Sequence, residues 1–325
     1  MLLSDGDIDV IMTMARELTG TKVDREKHSI IVHNVEARIL IVGASDLEAY
    51  LHYVDHHEAE MSFLLSALTI HTTSWFREVG AFEKLDSVLQ ERIKNKTQGV
   101  FRVLSVACST GEEVYSLATV LEYHRISNPI FEYHIDGWDI DPICLKKART
   151  GTYESDAAVG IPPKFQNFFM THFSLVTDQI QVPEHIKDRC RFRAVNITSP
   201  PVEADKYDYV MCRNMLIYFE DSDVRKIVGY IQSRLEPHGL FCTGVSETIA
   251  VNGSIFSSVG NATYSMGKSN KASGPKHDSS KNLGVTSKAH PAKLLLIVDD
   301  DHDIRDLIGS FLKAKGYSVV DAANA

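Results

Sequence analysis

Apolar residues recur every three or four positions over the first seventy residues, the spacing of amphipathic helices. Ile8, Ile11, Met12, Ala15 and Leu18 describe one helical face that Thr19 and Gly20 end. Leu47, Tyr50, Leu51 and Val54 describe another, opened by the capping-box pair Ser45 and Glu48. The pattern predicts an all-helical segment to about residue 70 with these faces as its core. A polar, β-branched break follows, HTTSWFRE at 71–78, and then Phe82, Leu85, Val88, Leu89 and Ile93 mark a further helix. Trp75 and Phe76 read as a plug at a domain junction, which leaves Thr73 and Arg77 to offer chemistry.

At Phe101 the pattern changes. Val103, Leu104, Val106 and Ala107 form the continuous apolar run of a parallel strand covered on both faces. Cys108 to Gly111 make a polar turn, and Glu112 and Glu113 fall in the first turn of the next helix, where carboxylates suit the positive end of the dipole. FEYHIDGWDID is a second strand. Asp141 before Pro142 is an N-cap with proline at the first helical position, which leaves Asp139 at the strand tip. Residues 153–190 carry short aromatic and aliphatic runs broken by prolines and read as a small inserted subdomain. Cys190 to Asn196 resembles a strand with Asn196 and Ile197 at its tip, and YDYVMC at 207–212 is another, followed by Arg213, Asn214 and Tyr218. Val224, Ile227, Val228, Ile231 and Leu235 give a helix with an inward face, and Pro237, His238 and Gly239 turn the chain into the strand LFCTGV. The alternation predicts an α/β fold with a mostly parallel sheet, four of whose loops bring polar residues to one edge.

That edge is where open α/β sheets bind nucleotide-like ligands. The turn at 108–111 has one glycine, neither the GxGxxG of a dinucleotide site nor the GxxxxGK[ST] of a phosphate loop, so the ligand carries no pyrophosphate. An acidic residue at a strand tip accepts hydrogen bonds from ribose hydroxyls, which makes Asp139 a nucleoside-binding candidate. The bland alternative is an ordinary strand–helix turn with capping carboxylates; four loops converging on one edge argue against it.

Composition narrows the partners. With 44% hydrophobic residues in 325, the chain can build about two cored domains. A formal net charge of -9 disfavours nonspecific binding to nucleic acid or to anionic membrane, leaving a protein or a small molecule. Five cysteines without a CxxC pair suit reduced thiols in the cytoplasm, and neither a leader segment nor a membrane-spanning run is read. His52 and His56 share a helix face, but no third ligand accompanies them; they read as a solvated helix end, and no metal is expected.

After Lys268 the composition turns to Ser, Lys, Asn and Gly, the character of a flexible linker over 268–292. Residues 293–325 then give a strand, an acidic turn, a helix with Ile304, Leu307, Ile308 and Phe311 inward, and a second strand.

Five ordered motifs resemble the CheR-type chemotaxis receptor glutamate O-methyltransferases over roughly residues 1 to 267. HTTSWFRE is similar to N-x-T-x-F-F-R-E, ACSTGEEVYSLA to A-S-T-G-E-E-P-Y-S-I-A, and WDIDPICLKKARTGTY to S-D-I-D-x-x-x-L-x-x-A-R-x-G-x-Y. YDYVMCRNMLIYF is similar to F-D-x-I-F-C-R-N-V-x-I-Y-F, and GLFCTGVSET to G-L-L-F-x-G-x-S-E. The resemblance implies a helical domain over 1–72, a Rossmann-like methyltransferase domain over 73–267 and a small antiparallel subdomain within it. It implies S-adenosylmethionine as cofactor, with S-adenosylhomocysteine as product. By motif, Thr73, Arg77, Glu113, Asp139, Asn196, Ile197, Arg213 and Asn214 line the cofactor pocket, and Arg77 and Tyr218 face the methyl group. The implied partners are the cytoplasmic helices of chemoreceptors, with other two-component signalling proteins as further candidates.

The sequence departs from the family at three places. His71 stands for the motif's asparagine and Trp75 for a phenylalanine. The helix IIVHNVEARILIVG, which the family loads with arginines for docking acidic receptor helices, has Arg38 nearly alone. The last 33 or so residues resemble the start of a response-regulator receiver domain, with Asp299 and Asp300 matching its acidic Mg²⁺ pair. Without the strand of the phospho-accepting aspartate, this segment is expected to be loosely attached or disordered, and inactive.

The implied reaction is in-line methyl transfer from a sulfonium to a glutamate carboxylate. A glutamate of pKa about 4.3 is already ionised and needs no base. Charge is lost in the transition state, so a tight arginine clamp on the acceptor favours the ground state, and Tyr218 suits the orienting role better than Arg77. The rivals are a cofactor sensor or scaffold without methylation, which the depleted basic helix supports, and methylation of a small carboxylic acid, which the helical domain opposes.

Overall fold

Four helices build the N-terminal bundle: α1 (Asp5–Thr19), α2 (Arg25–Val42), α3 (Leu47–His56) and α4 (Glu58–Ala67). The computed structural model describes residues 3–22, 25–155, 160–176, 178–202, 205–247, 256–266, 294–298 and 318–322. The Ser4 hydroxyl accepts the Asp7 N–H while the Asp7 carboxylate takes the Ser4 N–H, a reciprocal cap that starts α1; Gly20, at φ 77°, ends it. Leu18 does not join the core. The buried position at that turn belongs to Thr19, whose hydroxyl is satisfied by the Ala15 carbonyl at 2.6 Å. The cap of α3 is Asp46 and not Ser45: Asp46 accepts the Ala49 N–H at 2.8 Å, and Ser45 only donates to Asp46. Ile11, Ile31, Val35, Ile39, Tyr50 and Leu64 form a core of their own.

Beyond the bundle come α5 (Gly80–Lys94), β1 (Phe101–Val106), α6 (Glu112–Ser127), β2 (Tyr133–Asp139) and α7 (Pro142–Thr150). Then follow β6 (Cys190–Ala194), β7 (Tyr207–Cys212), α10 (Asp221–Arg234), β8 (Leu235–Cys242), β9 (Phe256–Gly260) and β10 (Thr263–Met266). They make a seven-stranded sheet in the order β6-β2-β1-β7-β8-β10-β9. The first five strands are parallel, and β10 runs antiparallel to both its neighbours. The apolar residues of strand β1 are covered on both faces: Val103 joins the cluster of Leu117 and Leu121 from α6, while Leu104 and Val106 join Ile227 and Ile231 from α10.

Three sequence readings change here. Ala107 is not strand: at φ 56° it leaves the sheet and is exposed. Residues 237–239 lie within β8, which begins at Leu235 and absorbs them through a register shift opposite Tyr207 and Tyr209. The hairpin of β9 and β10 was not expected, because four of the five β9 residues are exposed and show no alternation to read.

The inserted segment is a three-stranded antiparallel sheet, β3 (Thr152–Glu154), β5 (Gln179–Gln181) and β4 (Ser174–Val176) in the order β3-β5-β4, with α8 (Pro163–His172) and α9 (Glu184–Lys187). Trp75 anchors to it, edge-on to Tyr153 at 5.4 Å and Phe169 at 5.2 Å. Phe76 packs on Phe82 and Phe165. The two aromatics therefore plug the seam between the main sheet's helices and the insert.

Met1–Ser269 form one compact unit, and Asn270–Ala325 a second. Within the second, β11 (Leu294–Val298) and β12 (Ser318–Ala322) pair in parallel. The linker, Asp299, Asp300 and the helix carrying Ile304, Leu307, Ile308 and Phe311 lie outside the described residues.

Candidate active site

Positive-φ residues mark where the chain leaves the sheet. Ala107 and Ser109 do so after β1 and Asn214 after β7, while Phe76 and Glu78 have positive φ on either side of Arg77 in the loop before α5. The turn after β1 needs Gly111, at φ 96°: a Cβ there would lie 2.8 Å from both the Ala148 Cβ and the Tyr153 hydroxyl. The α6 N-terminus thus seats directly on α7 and the insert. The carboxyl ends of β1, β2, β6 and β7 then open on one cleft.

Thr73, Arg77, Glu113, Asp139, Asn196, Ile197, Arg213, Asn214 and Tyr218 all line this cleft. Their side chains are engaged in different ways. Asp139, 7% exposed, accepts the Ser109 N–H at 2.7 Å and the Asp141 N–H at 2.9 Å, so its carboxylate is fixed at the tip of β2. Burial raises its pKa, against those two hydrogen bonds. Asp141 caps α7 through the Ile143 N–H. Glu113 stands in the first turn of α6, as expected, and also accepts from the Ser105 hydroxyl at 2.7 Å and from Arg213 at 3.2 Å; burial raises its pKa in spite of the arginine.

Arg213 is almost wholly enclosed. It donates to Glu113, to Glu78 at 3.0 Å and to the Arg77 carbonyl, and it lies over the Phe82 ring. Its guanidinium is spent on holding three loops together, leaving only Nε without a partner among the described residues. Arg77 donates to the Thr72 carbonyl at 2.7 Å. Asn196 turns its side chain to Thr198 and to the Leu18 carbonyl at 3.2 Å, tying the end of α1 to the cleft. The Tyr218 carbonyl accepts the Lys22 N–H at 2.6 Å, a second tie to the same helical end.

Two carboxylates escaped the sequence reading. Glu247 accepts the Asn214 N–H at 2.7 Å and the Gly244 N–H at 2.8 Å. A Cβ at Gly244 would meet the Asn214 Nδ2 at 2.8 Å and the Glu247 carboxylate at 2.9 Å, so a larger residue would displace one of them. Glu78 binds Asn214 Nδ2, Arg213 and the Val245 N–H. Burial pushes the Glu78 carboxyl up, but those three donors outweigh it and leave its pKa lowered. The pair lay within motifs already singled out, RE at 77–78 and SE at 246–247; their acidity was the signal.

The donor set fits a sulfonium nucleoside. Carboxylates at Asp139 and Glu113 suit ribose hydroxyls and positive charge, and the Trp138 indole N–H, on a cleft-lining residue, has no partner among the described residues. His71, which lines the cleft, groups with Asp141 and Cys144 as three metal-ligating side chains, whereas His52 and His56 stack on each other and gather no third ligand among the described residues.

The family described as CheR methyltransferase, SAM binding domain, matches residues 71–265. The chain is 28% identical over 263 residues to the chemotaxis protein methyltransferase 2 of Vibrio cholerae serotype O1, covering 79% of this chain and 90% of that one. It is likewise 28% identical over 272 residues to the chemotaxis protein methyltransferase of Salmonella typhimurium, covering 82% and 92%. To the probable biofilm formation methyltransferase WspC of Pseudomonas aeruginosa it is 30% identical over 222 residues, which are 67% of this chain and 51% of that one, so it spans about half that relative's length.

Proposed function

The chain belongs to the CheR methyltransferase family, its cofactor is S-adenosylmethionine, and we propose that it methylates glutamate side-chain carboxylates of chemoreceptors to γ-methyl esters. The observation that carries this reading is the meeting of Asp139, Glu113, Arg77 and Tyr218 on one cleft. When bound, S-adenosylmethionine supplies an electrophilic methyl on a cationic sulfur. Asp139 holds the ribose, and Glu113 offers a carboxylate to the cofactor's positive charge. Arg213 positions both walls of the cleft through Glu78 and Glu113. Tyr218 orients the acceptor carboxylate by a neutral hydrogen bond, which survives the loss of charge on transfer. Arg77, tied to the Thr72 carbonyl, steadies the loop and the cofactor. Proximity then does most of the work, worth roughly 7 to 11 kcal/mol at best.

In the same reading, residues 1–72 are the receptor-facing helical domain, 73–267 the methyltransferase domain, 268–292 a linker and 293–325 the beginning of a receiver domain. The protein acts in the cytoplasm on receptor helices, with other two-component signalling proteins as further partners. Five free thiols suit that compartment, and no helix among the described residues is long and apolar enough to cross a membrane.

A sensor that binds cofactor without methylating has one observation in its favour: Arg38, the one arginine of the stretch IIVHNVEARILIVG, is turned into an ion pair with Glu60 at 2.7 Å. Labelled S-adenosylmethionine and receptor cytoplasmic fragments decide between the two. Label released as methanol by mild base supports the enzyme; cofactor binding by calorimetry without transferred label supports the sensor.

A further inference from the structure

We propose that His71, Asp141 and Cys144 form a binding site for a divalent cation of the zinc class, at the seam between α4 and α7. Among the described residues this is the one group of three that could hold a metal, its ligand atoms all within 4.8 Å of one another. His71 Nδ1 lies 3.3 Å from the Cys144 Sγ, and His71 Nε2 lies 3.0 Å from Asp141 Oδ2. The ring turns a different nitrogen to each neighbour, so an ion would take a single His71 nitrogen, with the three ligand atoms lying within 4.8 Å of one another.

The chain presents the three for a reason. Asp141 and Cys144 stand three residues apart at the start of α7, hence on one helix face. Asp141 spends Oδ1 on the Ile143 N–H, which fixes the carboxylate and leaves Oδ2 directed at His71. His71 arrives from the loop after α4, and its ring is the exposed member of the group, the route by which an ion would enter. When Nδ1 ligates beside the sulfur, Nε2 stays hydrogen-bonded to Thr69 Oγ1, now at 2.7 Å, or to the Ser66 carbonyl at 3.3 Å. A fixed second nitrogen of that kind orients a ligating histidine.

The ligand chemistry selects the metal. One imidazole, one thiolate and one carboxylate are a mixed nitrogen, sulfur and oxygen set, which suits borderline-soft Zn²⁺ and not the all-oxygen preference of Mg²⁺ or Ca²⁺. Binding replaces the thiol proton by the cation and releases that proton to solvent, so two anionic ligands neutralise the ion. A fourth position remains for water. The cation ties the helical bundle to the wall of the cofactor cleft, since His71 lines that cleft and Ser66 of α4 donates to Asp141 at 2.7 Å. This inference stands whether or not the chain methylates receptors.

The test titrates the tag-free full chain, stripped with chelator, with Co²⁺ as a visible substitute for Zn²⁺. The expected result is one equivalent bound with a near-ultraviolet sulfur-to-cobalt charge-transfer band, bleached by Zn²⁺, and a melting temperature raised by Zn²⁺. Cys144→Ser loses the band and the thermal shift while keeping its circular dichroism. His71→Asn, which installs the motif's residue, loses them as well. Absence of a sulfur band in folded wild-type protein, or a band that persists in Cys144→Ser, overturns the site.

Discussion

Arg213 Nη1 donates to Glu113 Oε2 at 3.2 Å, joining the residue that follows β7 to the first turn of α6 across 100 positions of sequence. The same guanidinium holds Glu78 and the Arg77 carbonyl, so three loops of the cleft meet on one buried cation.

Removing that cation leaves Glu78 and Glu113 without their cationic partner, with only the neutral donors Asn214, the Val245 N–H and Ser105. Breaking a buried pair costs about 3–5 kcal/mol, so Arg213→Ala is expected to lower the melting temperature and abolish cofactor binding together. Arg213→Lys recovers little, because one ammonium cannot span three acceptors in a planar fork. Thermal unfolding and calorimetric titration with S-adenosylmethionine measure both effects. A variant with wild-type affinity would show the loops to be held by other means.

Tyr218 is assigned to the acceptor and not to the cofactor. Tyr218→Phe should therefore lower kcat by roughly five- to tenfold, the value of about 1 kcal/mol for one neutral hydrogen bond, at unchanged cofactor affinity. Full turnover in the variant removes the orienting role.

Asp136 predicts a pH dependence of stability. Burial works against ionisation of this carboxyl, but His134, Arg191 and Tyr207 outweigh it and bring its pKa down to about 2 from the usual 3.8. A depressed folded value contributes stability that is complete above the unfolded value and fades as pH falls through the folded one. The contribution, about 2 kcal/mol, is thus present above about pH 4 and lost toward pH 2. Urea unfolding of wild type and Asp136→Asn should differ most near neutrality and converge by that amount below pH 4. A constant difference across the range would refute it.

Arg38 is expected to matter for folding and not for docking. Its guanidinium pairs in parallel with both oxygens of Glu60, whose carboxylate also accepts from the Tyr50 hydroxyl at 3.0 Å. Arg38→Ala leaves Glu60 buried and short of its cation, a loss of about 3 kcal/mol seen as a lower melting temperature. The KM for receptor fragments should not change. A raised KM with unaltered melting would put Arg38 on the receptor side after all.

The sequence by itself determined the order of helices and strands, because burial on one face or two dictates a period of 3.6 or a continuous apolar run, and each such period is local. It also brought nine residues forward by motif, and the structure gathers those nine on one cleft. Only the tertiary structure decided what each does there. Arg213 reads in sequence as a free cation after a strand, yet Glu78 and Glu113, 135 and 100 positions away, consume its charge. Asn196 is a strand-tip amide in sequence and a tie to α1 in space. Glu247 belongs to no periodicity, and the N–H groups it satisfies become orphans only when Asn214 leaves β7 at positive φ. The strands β9 and β10 were illegible for a related reason: an exposed edge hairpin is selected by pairing with β8 and not by burial of its own side chains. Local burial writes the elements into the chain, whereas long-range charge pairing and backbone satisfaction exist only once the loops have met.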